Sequence, residues 1–105
     1  MKKSSTILIK FGCGGVDLSG LHISMWYAIK VVCEVWEGEE PVITSTWEGT
    51  HIPWSMHYRK RALDFRPPKR PINDVIKELK VKLGRDYDVV WEYDHIHIEW
   101  DPKEK

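Results

Sequence analysis

Two segments of the chain carry apolar residues at helical spacing. Residues 21–36 repeat an apolar position every three to four residues, and Ser19 just before them is a candidate N-cap. A second stripe covers residues 72–83, after a proline-rich stretch, and Gly84 follows its last apolar residue. We therefore predict two amphipathic helices, each of which packs its apolar face on a sheet.

Between and around these helices, short runs of β-branched and aromatic residues predict strands. The predicted strands cover residues 6–10, 41–47, 62–65, 87–93 and 95–100. The last two are so close in sequence that a hairpin is the natural connection. The pattern predicts an α+β fold in which two helices pack on a small antiparallel sheet, and a length of 105 residues predicts a single domain over residues 1–105.

Composition excludes several classes of function. Sixteen basic and sixteen acidic side chains give a formal net charge of zero, which favours neither nucleic acid nor an anionic membrane as a partner. No apolar run approaches the ~18 residues of a membrane span. The N-terminal apolar stretch is too short for a signal peptide, so we expect a cytoplasmic protein. Cys13 and Cys33 match neither a disulfide framework nor a zinc motif, and Cys33 is expected to be a small core residue.

The candidate chemistry lies in the histidines, four of which fall between positions 51 and 97. His57 and Asp64 are seven residues apart, and His95 and His97 flank an isoleucine. On a strand, side chains two residues apart share one face, so both imidazoles point to the same side together with Glu99. Catalytic zinc takes three protein ligands of these types and leaves a fourth position for water. The alternative is that these histidines form only the polar face of a half-buried hairpin.

The two halves of this pattern together resemble a known family. Ser55-x-His57-x(6)-Asp64, with Ala62 two residues before the aspartate, is followed about thirty residues later by Asp94-x-x-His97. This arrangement resembles the zinc D-alanyl-D-alanine carboxypeptidases, a family that includes D-Ala-D-Ala dipeptidases and phage L-alanyl-D-glutamate endolysins. The resemblance covers roughly residues 21–102 and implies the small sheet-plus-helices fold shared with Hedgehog signalling domains.

The resemblance implies roles for individual residues. His57, Asp64 and His97 would be the zinc ligands, and His95 and Asp94 would assist the reaction as catalytic groups. An alternative register makes His95 the ligand and Glu92 the base, since Glu92 has the same spacing to His95 that Asp94 has to His97.

Four further residues bear on the same site. Ser55, His51 and Glu99 are candidates to orient the ligands through hydrogen bonds. Lys60 stands three residues after His57, where the family usually has glycine. Glycine there permits a backbone conformation or a close approach that lysine makes costly, so this difference concerns the geometry of the ligand loop and not the ligand set.

The function that follows is zinc-dependent hydrolysis of peptide bonds involving D-amino acids in peptidoglycan or its precursors. The cofactor is Zn²⁺ and the partner is a peptidoglycan peptide or another D-amino-acid peptide. A phage-borne enzyme released at lysis fits this reading. Two other functions stay open at this stage: a zinc-binding structural or interaction domain without catalysis, and an interaction module that binds no metal.

Overall fold

The structure is a computed structural model that describes residues 8–9, 18, 20–45 and 61–102; for residues 8–9 it describes the backbone alone. Five residues named in the sequence analysis lie outside the described residues: the predicted ligand His57, the neighbouring Lys60, the candidates His51 and Ser55, and Cys13.

Two helices and five strands make up the described chain. In chain order they are β1 (Leu8–Ile9), α1 (Ile23–Val35), β2 (Val42–Ser45), β3 (Ala62–Phe65), α2 (Ile72–Leu83), β4 (Tyr87–Trp91) and β5 (Ile96–Trp100). The α+β class is therefore confirmed, with both helices where the apolar periodicity places them. Within the described ranges, neither helix is long and apolar enough to cross a membrane.

The strands form one sheet in the order β1-β2-β3-β5-β4. β2, β3, β5 and β4 pair antiparallel, which confirms the predicted antiparallel sheet, and β1 adds a short parallel strand at the edge beside β2. β4 and β5 form the predicted hairpin. The opposite edge of the sheet is β4. The extent of the domain over residues 1–105 stays a prediction.

The core lies between the two helices and one face of the sheet. Strand side chains that point into it are fully or almost fully buried: Ile43, Leu63, Phe65, Val89, Ile96 and Ile98. Trp36, at the end of α1, packs edge-to-face on Phe65 with ring centroids 6.1 Å apart. Burial on this scale contributes about 1.5–3 kcal/mol for each large apolar side chain. Cys33 is half-buried and packs against the same core.

The helix ends agree with the sequence at α2 and differ at α1. Gly84 ends α2 as predicted, with a φ of 88° that only glycine adopts freely. The N-cap of α1 is His22, whose ring nitrogen Nδ1 accepts the N–H of Ser24 at 3.1 Å. The prediction of Ser19 as cap is therefore wrong, because an imidazole nitrogen takes the place of a hydroxyl; Ser19 itself lies outside the described residues.

Candidate metal centre

Strand register brings Asp64 and His97 together on the face of the sheet opposite the helices. Asp64 of β3 is paired directly with His97 of β5. Their neighbours Leu63, Phe65 and Ile98 point into the core, so alternation sends the carboxylate and the imidazole to the other side. We call this side of the sheet the open face.

His97 lies between two carboxylates. Its Nδ1 is 2.9 Å from Oδ1 of Asp64, and its Nε2 is 2.6 Å from Oε1 of Glu99. The side chains of His97 and Asp64 are only 12% and 13% exposed. Burial lowers the pKa of His97, but the hydrogen bonds to Asp64 and Glu99 outweigh it and raise the pKa to about 9. At neutral pH both ring nitrogens therefore carry protons and donate to the two carboxylates.

The loop between β4 and β5 adds three polar side chains to the same place. The N–H of Glu92 donates to the carbonyl of His95 at 2.8 Å, and the N–H of Asp94 donates to the carbonyl of Glu92 at 2.7 Å. Tyr93 between them has a φ of 71°, a left-handed conformation that non-glycine residues seldom adopt. Strained residues of this kind cluster at functional sites.

His95 lies in this loop, one residue before β5, whereas the sequence placed it on the strand. The loop extends one residue further than predicted, yet the imidazole still reaches the open face. Nδ1 is 2.6 Å from Oδ1 of Asp94, and Nε2 is 2.9 Å from Oε1 of Glu92 and 3.6 Å from Oδ2 of Asp64. Burial acts to lower the pKa of His95, but the contacts with Asp94, Asp64 and Glu92 raise it.

These contacts create a group of donor atoms that could hold a metal ion. One ligand atom each from Asp64, Glu92 and His97 lies within 4.8 Å of the others. A tetrahedral ion at about 2.1 Å from its ligands separates them by about 3.4 Å, so the described atoms need only small movements to converge. The donors are carboxylate oxygen and imidazole nitrogen, which are the types that a catalytic zinc site uses.

The structure thus joins most of the residues singled out by sequence. Asp64, His95 and His97 lie together, with Asp94 beside His95. The third predicted zinc ligand, His57, lies outside the described part of the chain. Glu92, which the sequence offered only in the alternative register, lies in the donor group. Asp94 is 79% exposed and turns its carboxylate to His95. Glu99 contacts His97 directly, as a residue that orients a ligand would.

Two clefts flank the donor group. One, of about 370 Å³, opens toward β2 and is lined by Thr44, Ser45, Asp64, Arg66, Asp94 and His95. The other, of about 610 Å³, opens toward β4 and is lined by Lys80, Gly84, Arg85, Tyr87, Asp88, Val89, Val90, Glu92, His97 and Glu99. Sequence reasoning did not identify Thr44, Arg66, Lys80 or Arg85 as site residues, because only the strand order and the helix position bring them near the histidines.

No protein-family model, curated protein or solved structure matches this chain.

Proposed function

We propose that this protein is a zinc-dependent peptidase that hydrolyses peptide bonds involving D-amino acids in peptidoglycan or its precursors, on a Hedgehog/DD-peptidase-like fold. The observation that carries the proposal is the 2.9 Å contact between Asp64 and His97 across paired strands, since these are the last two ligands of the sequence motif. The first ligand in the proposal is His57.

The surroundings of His97 suit a metal ligand. A histidine ligand commonly donates its second ring N–H to a carboxylate, which fixes the tautomer and the ring orientation. Glu99 accepts from Nε2 at 2.6 Å, and this leaves Nδ1 facing Asp64. The raised pKa of His97 has the same origin: the carboxylates around the ring favour a positive charge, supplied by a proton when no metal is bound.

When bound, zinc polarises the scissile carbonyl and lowers the pKa of its water. The protein must then supply a group that takes the proton from water and returns it to the leaving amine. Asp94 is the carboxylate that the family resemblance implies for this step, and Glu92 is the carboxylate that lies beside Asp64 and His97. His95 hydrogen-bonds to both of them, so it holds the two carboxylates and can stabilise negative charge in the transition state.

Metal analysis and a hydrolysis assay test the proposal together. The purified protein should bind about one zinc per chain, and peptides containing L-Ala-D-Glu or D-Ala-D-Ala should be cleaved until a chelator is added. Asp64→Ala and His97→Ala should lose the metal, whereas His95→Ala should keep the metal and lose hydrolysis. The opposite outcome, in which His95→Ala loses zinc and His97→Ala keeps it, would establish the alternative register with His95 as ligand.

Two results would contradict the proposed peptidase function. Stoichiometric zinc without cleavage of any wall peptide would leave a zinc-binding structural or interaction domain. Undiminished zinc in Asp64→Ala and His97→Ala would remove the proposed centre itself.

A further inference from the structure

We infer that the outer edge of β4 binds an extended peptide as an added strand, with a carboxylate of that peptide held by Lys80 and Arg85. The inference deepens the proposed peptidase function, because it names the shape and the charge of the substrate. Binding itself needs no metal, so it can be tested separately from hydrolysis.

The larger cleft runs along this edge. It is lined by four consecutive residues, Tyr87 to Val90, whose side chains alternate between the two faces of the sheet. A cleft bordered by both faces lies beside the strand and not above it. Because Glu92, His97 and Glu99 also line it, the cleft continues from the edge over the open face to the donor group.

Alternate backbone groups of β4 are directed away from β5, toward the outer edge of the sheet. The carbonyl of Asp86 accepts from Asp101 at 2.7 Å, and the N–H of Glu92 donates to His95 at 2.8 Å, so even-numbered residues of β4 face β5. An antiparallel ladder alternates, and the N–H and C=O groups of Val89 and Trp91 therefore point away from β5. Among the strands of the described chain, β5 is the only one that pairs with β4. Such an edge is the site at which peptides add to sheets.

Two cations lie at one end of the cleft, beside the turn that connects α2 to β4. Lys80 and Arg85 line the cleft. Within residues 61–102 and the other described ranges, neither has an ion-pair partner, in contrast to Arg70, which pairs with Glu78 at 3.0 Å. Glu92 lines the opposite end of the cleft, and Asp88 and Glu99, which are paired across β4 and β5, line it between the two ends. The two cations thus fit a peptide whose carboxylate lies at the α2 end and whose scissile bond lies at the donor group.

Apolar side chains on the edge strand supply contacts for the side chains of the peptide. Val90 and Trp91 are 43% and 39% exposed on opposite faces of β4, and Tyr93 beyond them is 93% exposed. At about 3.3 Å per residue, the five residues of β4 span about 17 Å, which corresponds to a peptide of about five residues.

Titration with a synthetic five-residue peptide, with its C-terminus either free or amidated, tests the inference. In metal-free ¹⁵N-labelled protein, the free acid should shift the amide resonances of Val89 and Trp91, and the amidated peptide should bind about fivefold more weakly, since an exposed ion pair has an effect of this size. The double variant Lys80→Ala, Arg85→Ala should bind the free acid more weakly by a similar factor and should bind the amidated peptide with unchanged affinity. Lys30→Ala, Lys69→Ala is the charge-matched control and should bind like the wild type.

N-methylation of the peptide tests the added strand. Methylation of alternate peptide nitrogens should abolish the shifts, and methylation of the intervening ones should not, because only every second N–H of an added strand faces β4. Shifts insensitive to N-methylation, or equal affinity of the wild type and the Lys80, Arg85 variant, would overturn the inference. The inference would also be overturned if the amide resonances of Val89 and Trp91 shifted with protein concentration alone, because a second copy of the chain would then occupy the edge.

The outcome is independent of the peptidase proposal. If the zinc-loaded protein cleaves no peptide but the binding results are as expected, the peptidase proposal is contradicted and peptide binding at the edge of β4 is supported. If the protein cleaves peptides and the Lys80, Arg85 double variant has the same KM as the wild type, the peptidase proposal is supported and peptide binding at the edge of β4 is contradicted.

Discussion

At the residue scale, the site depends on carboxylates placed around two imidazoles. Glu99 illustrates this, because its Oε1 lies 2.6 Å from Nε2 of the predicted ligand His97. Its contribution to a metal site is therefore indirect: it holds the ring so that Nδ1 faces Asp64.

Glu99→Gln should consequently weaken zinc binding without abolishing it. Loss of a carboxylate that orients a histidine ligand typically lowers metal affinity about 10–100-fold. Competition with a chromophoric chelator measures the affinity, and Glu40→Gln, the same change at an exposed residue outside the donor group, is the matched control. Equal affinity of Glu99→Gln and the wild type would show that Glu99 has no role in orienting His97.

The two loop carboxylates differ in position, which predicts different kinetic effects. The Glu92 carboxylate lies within 4.8 Å of the ligand atoms of Asp64 and His97, whereas Asp94 is 79% exposed and contacts His95. If Glu92 transfers the proton, Glu92→Gln should lower kcat by about 10²–10⁴-fold and Asp94→Asn by much less. Zinc content should be measured for both, since a loss of metal in Glu92→Gln would make Glu92 a ligand. A larger kcat loss in Asp94→Asn would return the role to the residue that the family resemblance implies.

At the scale of elements, apolar periodicity was sufficient to predict where α1 and α2 lie, because each has one buried face, and the short run Ala62–Phe65 predicted β3. Periodicity could not predict that β5 begins only after His95, since that depends on two backbone hydrogen bonds within a loop. The site was predictable only in part. Asp64 and His97 were singled out by spacing and resemblance, but their contact depends on the register of two strands more than thirty residues apart.

The end of α2 gives a prediction that involves no side-chain contact. Gly84 has φ 88° and ψ −176°, a region open essentially to glycine alone, and nothing lies within 4 Å of a Cβ added there. Gly84→Ala should therefore lower the free energy of unfolding by about 1–3 kcal/mol through backbone strain only. Urea denaturation measures the change. Val81→Ala, at a 76% exposed position of the same helix, should cause no loss, and an equally stable Gly84→Ala would show that the turn adopts another conformation.

At the scale of the whole molecule, the cluster on the open face links folding to pH. The pKa of His97 lies near 9 in the folded protein, since hydrogen bonds to Asp64 and Glu99 outweigh the burial that lowers it, against an ordinary value of 6.5. A proton held more tightly by the folded state stabilises it, and this contribution is complete below about pH 6.5 and is lost as the pH rises through about 9. Metal binding requires the same nitrogen without its proton, so the effect belongs to the metal-free protein.

Metal-free protein should therefore become less stable between pH 6.5 and pH 9.5, and His97→Gln should show a smaller dependence over that interval. Urea denaturation in the presence of a chelator at several pH values measures both. The difference between the two proteins isolates His97, because the other titrating groups, including His95 with its own raised pKa, remain in the variant. Parallel pH profiles for the wild type and His97→Gln would mean that His97 does not keep its proton between Asp64 and Glu99, and a wild-type stability that rises with pH relative to the variant would reverse the assigned direction of the pKa shift.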